Sequence, residues 1–294
     1  MSTLQFPLRH HGRFDFQAIH ERTLPPWPGG QRLAVYVALN LEQYAFGEGL
    51  VEDLVPGIPA PDVLNNSWRE YGNRVGAWRL LDLFKQLSLP VTLLINSELY
   101  ESCPQLIAAF RAAGAEIAAH GRTNSAHQAG LDEAAERALI THVTDTIAHH
   151  EGKPPAGWLS PWIAETTLTP DLLHEAGYRY LLDWCMDDQP VWMRTRAGHI
   201  LSVPYPQELN DSAAIIGRQV SASEFADMII GQFDEMREQA AEQPLVMGIA
   251  LHAMIAGQPF RLRELRRALR HIAAHREACW LATAGEVAEA VIGV

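Results

Sequence analysis

Three apolar runs of strand length each end on a polar residue, and that arrangement constrains the fold of this chain more than any other feature. Leu33-Ala34-Val35-Tyr36-Val37-Ala38-Leu39 delivers Asn40-Leu41-Glu42, Ala115-Glu116-Ile117-Ala118-Ala119 delivers His120, and the run from Leu245 to Leu251 delivers His252. In an α/β barrel or doubly wound sheet, polar side chains at the C-terminal ends of buried parallel strands converge on one pocket. Residues far apart in sequence then form one site, and an enzyme is the leading reading.

Elements alternate along the rest of the chain. A polar, Pro- and Gly-rich excursion from about Glu42 to Asn66 is too long for an ordinary connection and reads as an active-site loop. Gly76 to Leu87 forms a helix whose apolar face is Trp78, Leu80, Leu81, Leu83 and Phe84. Pro90 to Asn96 is a β-branched strand, Pro104 to Ala113 a helix closed by Gly114, and Asp132 to His149 a long helix with an Asp cap. Gly157 to Ser160 and Tyr178 to Asp183 are strands around a helix that Thr169-Pro170 opens, with Thr as cap and Pro in the first turn. Ile200 to Pro204, a helix from Ser223 to Ala241, the strand ending at His252 and a helix from Arg261 to His275 complete the pattern. Strands alternating with helices imply a parallel sheet with crossover helices, and a closed or nearly closed barrel fits the count.

At 294 residues, with 48% hydrophobic and 20% charged residues, the chain fills one barrel with ample core. We divide it into an N-terminal arm, 1–30, and a single barrel domain, 31–294. The formal charge of −12 argues against nucleic-acid and anionic-membrane partners. No segment approaches the ~18 uninterrupted apolar residues of a membrane span, and the N-terminus lacks an apolar signal core. A cytoplasmic location is expected. Cys103, Cys185 and Cys279 have neither disulfide-type nor metal-type spacing and read as reduced, small buried hydrophobes.

Tyr71-Gly72-Asn73-Arg74-Val75-Gly76-Ala77-Trp78-Arg79, Leu89-Pro90-Val91-Thr92, His120-Gly121 and Gly157-Trp158-Leu159-Ser160-Pro161 follow one another in an order that resembles the polysaccharide deacetylase (NodB-homology) superfamily. Tyr180-Leu181-Leu182-Asp183-Trp184, Asp187-Asp188-Gln189-Pro190, Pro204-Tyr205 with Asn210-Asp211, and Leu251-His252 with Gly257 and Arg261 extend the match from about Arg32 to Ile272. Within the superfamily the chain is similar to the branch of metal-independent allantoinases and cyclic imide hydrolases. The resemblance implies an α/β fold of the distorted (β/α) barrel type, a hydrolase of carbon–nitrogen bonds, and a homo-oligomer, dimer or tetramer. The arm, with Phe14, Phe16 and Trp27, has no place in a barrel and is expected to pack on a neighbouring subunit.

Departures from the deacetylase pattern bear on the chemistry. Where that pattern places an Asp-Asp pair, this chain reads Asn40-Leu41-Glu42-Gln43. Where it places a His-x-x-x-His pair, this chain reads His120-Gly121-Arg122-Thr123-Asn124. Glu42, His120 and Asn124 would give zinc two strong ligands and one weak one, so no tight metal and no required cofactor is expected, a weakly held divalent ion being the alternative.

Opening a cyclic imide or ureide without a metal needs an activated water, an oxyanion stabiliser and a proton for the leaving nitrogen. We assign Glu42 as the base or water-orienting carboxylate, and His120 and His252 as proton-transfer or oxyanion-stabilising groups. Asp183, Asp187 and Asp188 are candidates for orienting a histidine or binding a ring N–H. Arg74, Asn124, Ser160, Trp162 and Asn210 are expected to line the pocket of a small-molecule substrate. A Glu after a strand is often only a helix cap, and Asp187-Asp188 is ordinary turn composition, so each assignment competes with a structural role. Ser160 lacks a Gly-x-Ser-x-Gly elbow and is not read as a nucleophile. The competing functions are a metal-dependent N-deacetylase of amino sugars and a non-catalytic binding protein on the same scaffold.

Overall fold

The inner and outer faces of one strand establish the plan. In β1 (Leu33–Leu41), Leu33, Val35, Val37, Leu39 and Leu41 pack with the helices, while Ala34, Tyr36 and Ala38 join a second cluster on the other face. That period of two fills the concave side with mostly small residues. The computed structural model describes residues 10–48, 53–126 and 128–293.

Among the described residues eight further strands follow: β2 (Val91–Ile95), β3 (Glu116–Ala119), β4 (Gly157–Trp158), β5 (Tyr180–Leu181), β6 (Val191–Thr195), β7 (Gly198–Ser202), β8 (Leu245–His252) and β9 (Trp280–Ala282). They lie in the order β6-β7-β5-β4-β3-β2-β1-β8, with β9 also on β1, and only the β6–β7 pair is antiparallel. The strand path does not return on itself, so the barrel is open rather than closed. The segment after β7 spans the gap and touches β8 through an Asn210–Ala250 bridge.

Among the described residues ten α-helices accompany the strands: α1 (Val63–Tyr71), α2 (Ala77–Leu87), α3 (Leu99–Ser102), α4 (Pro104–Ala112), α5 (Glu133–Glu151), α6 (Thr169–Glu175), α7 (Ala222–Gln239), α8 (Ala253–Ala256), α9 (Pro259–Ala274) and α10 (Ala284–Ile292). Asp132 caps α5 as expected and Ser221 closes a capping box on α7. Leu168, not Thr169, precedes the first turn of α6, because the Thr169 hydroxyl turns inward to Glu136. Among the described residues no helix is long and apolar enough to cross a membrane.

The arm has a place after all. Arg13 meets Asp171 at 2.7 Å, Arg22 meets Asp187 at 2.7 Å, and the buried Trp27 donates to the Leu245 carbonyl at 3.0 Å. Phe14 packs on the core of its own barrel, leaving only Phe16 in solvent at 92% exposure. These contacts hold residues 13–27 of the arm on its own barrel. Residues 1–9 of the arm and 49–52 of the excursion lie outside the described residues. Of the cysteines, only Cys279 is buried; Cys103 is half-buried and Cys185 exposed.

Candidate active site

Strand register brings the site together. Leu41 pairs with Ile95 and Ile95 with Ala119, so Glu42, Asn96 and His120 are the next residues at one level of the sheet. Asn40 pairs with His252 one step below. Because inner and outer positions alternate, Ala38, Asn40 and Glu42 share the concave side, as do Ala118 with His120 and Ala250 with His252.

Glu42, His120 and His252, the three residues expected to carry the chemistry, meet on a single oxygen. Glu42 Oε1 lies 3.5 Å from His120 Nε2 and 3.6 Å from His252 Nε2, all three side chains being buried. The other ring nitrogens are committed. His120 Nδ1 faces the Leu159 carbonyl at 2.8 Å, and His252 Nδ1 faces Asp211 Oδ1 at 2.7 Å. A carbonyl or carboxylate oxygen only accepts, so both Nδ1 atoms carry hydrogen and both Nε2 atoms face Glu42. Burial alone would push the Glu42 carboxyl up; the charge of His252, the hydrogen bond and charge of His120 and the Tyr44 hydroxyl together outweigh it and hold the carboxyl below its usual range.

A hydrogen-bond chain of fixed direction settles what Asn124 offers. The Gln43 backbone N–H donates to Asn96 Oδ1 at 2.8 Å, leaving Asn96 Nδ2 to donate to Asn124 Oδ1 at 3.0 Å. Asn124 must then donate through Nδ2 to Glu42 Oε1, at 2.6 Å. Its oxygen is taken and it presents hydrogen, not an electron pair, to the carboxylate. Turned this way, Asn124 offers no electron pair, so Glu42, His120 and Asn124 do not form the ligand set of the deacetylase pattern. These donors do not fit a catalytic metal.

The cavity above the cluster measures about 130 Å³. Ser160, Trp162, Asn124 and Asn210 line it as expected, together with Asn40, Tyr205 and Ile163. Trp162 and Ile163 hold φ of 64° and 53°, left-handed backbone at two consecutive non-glycine residues, and such strain concentrates at functional sites. Gly121, at φ 63°, lets the chain turn directly after His120. A Cβ there would lie 2.5 Å from Pro161 and displace the Ser160–Pro161 turn.

Other expected residues lie elsewhere. Asp183 sits behind the wall, accepting from the Ser160 backbone at 2.7 Å and hydroxyl at 2.9 Å, so its immediate partner is Ser160 and not a histidine. Burial pushes Asp183 up to about 6, against the hydrogen bonds of Ser160. Asp187 and Asp188 border a separate cavity of about 420 Å³, where Asp187 is tied to Arg22. Arg74 is exposed and outside the lining; its neighbour Asn73 is the one that reaches the site, donating to the Glu42 carbonyl at 2.8 Å. The excursion after Glu42 contributes no lining residue among those described.

Tyr44, Asn96 and Asp211 escaped the sequence analysis. Tyr44 donates its hydroxyl to Glu42 Oε2 at 2.6 Å. Asp211 accepts from both the backbone and the ring of His252, and the need of a histidine for a carboxylate partner was the signal that could have found it. Asp211 stands at the start of a π-helical turn (Ser212–Gly217), and Asn73 lies in another (Gly72–Gly76), irregularities that recur at functional sites.

With this geometry in view, the comparisons with known proteins are specific. Residues 70–181 match the polysaccharide deacetylase family. A Schizosaccharomyces pombe protein provisionally named a polysaccharide deacetylase is 27% identical over 90% of this chain and 92% of its own. A crystal structure from Pseudomonas aeruginosa PAO1, also provisionally so named, superimposes with a TM-score of 0.82 at 28% identity, covering 92% of this chain and 95% of that one. The chain carries the polysaccharide deacetylase match over residues 70–181 and resembles proteins of that superfamily along most of its length. Its fold is the distorted (β/α) barrel of that superfamily, in a single domain. The Puue allantoinase structure matches equally well, with a TM-score of 0.82 and 26% identity over 96% of this chain and 99% of that one. The chain is thus similar both to proteins named deacetylases and to one named an allantoinase.

Proposed function

We propose that this protein hydrolyses a carbon–nitrogen bond in a small, uncharged cyclic amide, an imide or ureide ring, by acid and base catalysis. The observation that carries the reading is the meeting of His120 and His252 on one oxygen of Glu42, with Asn124 presenting a proton where a metal site needs a lone pair. The similarity to an allantoinase supports the same reading.

Substrate size and charge follow from the lining. About 130 Å³ is small beside the ~300–1,000 Å³ of sites for drug-sized ligands. No Lys or Arg lines the cavity among the described residues, so nothing there compensates an anionic substituent. An imide suits the site because its second carbonyl already acidifies the leaving nitrogen.

The residues divide the work. His252, its Nδ1–H held by Asp211, takes a proton from the attacking water on Nε2 and returns it to the leaving nitrogen. Glu42 remains ionised because its carboxyl is held low; it orients the water and balances the imidazolium charge. His120, whose Nδ1–H is spent on Leu159, is pinned with Nε2 toward Glu42, where an added proton is satisfied and polarises the substrate carbonyl.

A panel of cyclic imides, hydantoins and ureides, run beside acetylated amino-sugar oligomers, tests the proposal. Ring opening of at least one cyclic compound with no acetate release is expected. Acetate release with every ring left intact would overturn it.

A further inference from the structure

One residue lining the active-site cavity carries a buried polar atom that nothing among the described residues satisfies. Asn40 is 1% exposed, lies two residues before Glu42 on the concave side of β1, and pairs in register with His252. Its amide orientation is determined by its neighbours. Nδ2 donates to the Leu251 carbonyl at 3.1 Å and to the Tyr205 hydroxyl at 3.1 Å, and a carbonyl only accepts, so the remaining atom is the oxygen. Oδ1 has no hydrogen-bond partner. Of the buried side-chain atoms without a partner among the described residues, it alone belongs to a residue lining this cavity. Buried acceptors in native proteins are nearly always paired, so an orphan in a binding cavity calls for a donor from the ligand.

The surroundings select that donor. The lining carries no cation, and the groups beside Asn40 are Glu42 and His252, which act on the scissile bond. Resting on the function proposed above, the geometry points to Asn40 Oδ1 as the acceptor for the N–H of the scissile ring nitrogen. The protein accordingly takes rings whose scissile nitrogen bears hydrogen and rejects rings in which it is alkylated. Water adds to the carbonyl carbon, the C–N bond breaks, and the nitrogen leaves as a primary amide. Of its two hydrogens, one was there in the ring and rests on Asn40; the other arrives from water by way of His252, the residue paired with Asn40 across the strands. The carbonyl carbon becomes a carboxylic acid, which gives up the second proton of the water to solvent and leaves as a carboxylate.

The test compares a cyclic imide with its N-methyl counterpart. Native protein should open the N–H ring with kcat/KM about 100-fold or more above the N-methyl ring, because a site built to hydrogen-bond a substrate N–H rejects the analogue lacking it. A methyl group is also larger, so Asn40→Ala supplies the second arm, removing the acceptor and making room. Within that variant the ratio of the two kcat/KM values should collapse toward 1, and a ratio is unaffected by how much of the variant folds. Native protein that opens both rings equally, or Asn40→Ala that keeps the native ratio, would overturn the assignment of Asn40 and leave the hydrolase reading intact. Native protein that opens neither would remove both.

Discussion

The two ends of the barrel each hold a carboxylate bonded to a tyrosine, and the two are used in opposite ways. At the N-terminal end Glu116 accepts from the Tyr180 hydroxyl at 2.7 Å, the Thr92 hydroxyl at 2.8 Å and the Gly285 backbone N–H at 3.0 Å. Gly285 lies in the first turn of α10, where a negative charge is favoured by the helix dipole, and a Cβ there would strike Glu116 itself. At the C-terminal end Glu42 accepts from Tyr44 and Asn124 but shares Oε1 with two imidazoles and opens on a cavity. A carboxylate held by neutral donors is a peg. One whose oxygen is contested by two histidines is equipped to manage protons.

The sharpest way to break this contrast is to neutralise each carboxylate without changing its shape. Glu42→Gln should lower kcat/KM by roughly 1,000-fold while thermal melting stays close to native, since without the charge that orients the water and balances the imidazolium the acid–base step through His252, a kind of step that contributes about 10²–10⁴, is lost. Asp211→Asn should follow with roughly 100-fold, because the amide no longer stabilises the charged His252 ring; steady-state rates across pH measure both. Glu116→Gln should do the reverse, costing about 2 kcal/mol in denaturant unfolding through a mismatched buried donor, with kcat per folded molecule unchanged. An inactive but fully stable Glu116→Gln would erase the distinction between the two ends.

How much of this was legible in the sequence depended on the regularity of the backbone. Glu42, His120 and His252 end apolar runs whose period of two continues into the site, so their convergence followed from the pattern. Asp211 stands before a π-helical turn, and Tyr44 and Asn96 follow strand ends without repeating any pattern, so contacts alone reveal them. The first residues of α1 fall within the excursion from Glu42 to Asn66 that reads as a loop, because Asn65 and Asn66 make them polar, although Asp62 caps the helix. β6 was hidden for a related reason: it is an edge strand, partly exposed and carrying Arg194. Arg74 is expected in the lining where the geometry uses the amide of its neighbour Asn73, and Asp187 and Asp188, expected to orient a histidine or bind a ring N–H, border a second cavity instead.

A third carboxylate sharpens the comparison with a smaller effect. Burial and then the charge of Asp183 push Glu165 up to about 9 from an ordinary 4.5, so the folded protein holds a proton there that the unfolded chain releases. The stability this contributes is full below pH 4.5 and is lost as pH rises toward 9. Glu165→Gln removes the titration. Melting curves across that window should flatten, leaving the variant more stable than native at the alkaline end by on the order of 1–2 kcal/mol. An unchanged slope would place the proton elsewhere.

The central claim is that the protein's own carboxylate and imidazoles perform the ring opening, and exhaustive chelation tests it most directly. Protein treated until metal analysis finds no divalent ion should keep most of its activity on the best cyclic substrate, while Asn124→His, which places an imidazole four residues after His120, should bind zinc more tightly than native. Complete loss of activity on chelation, restored by one divalent ion, would contradict the account.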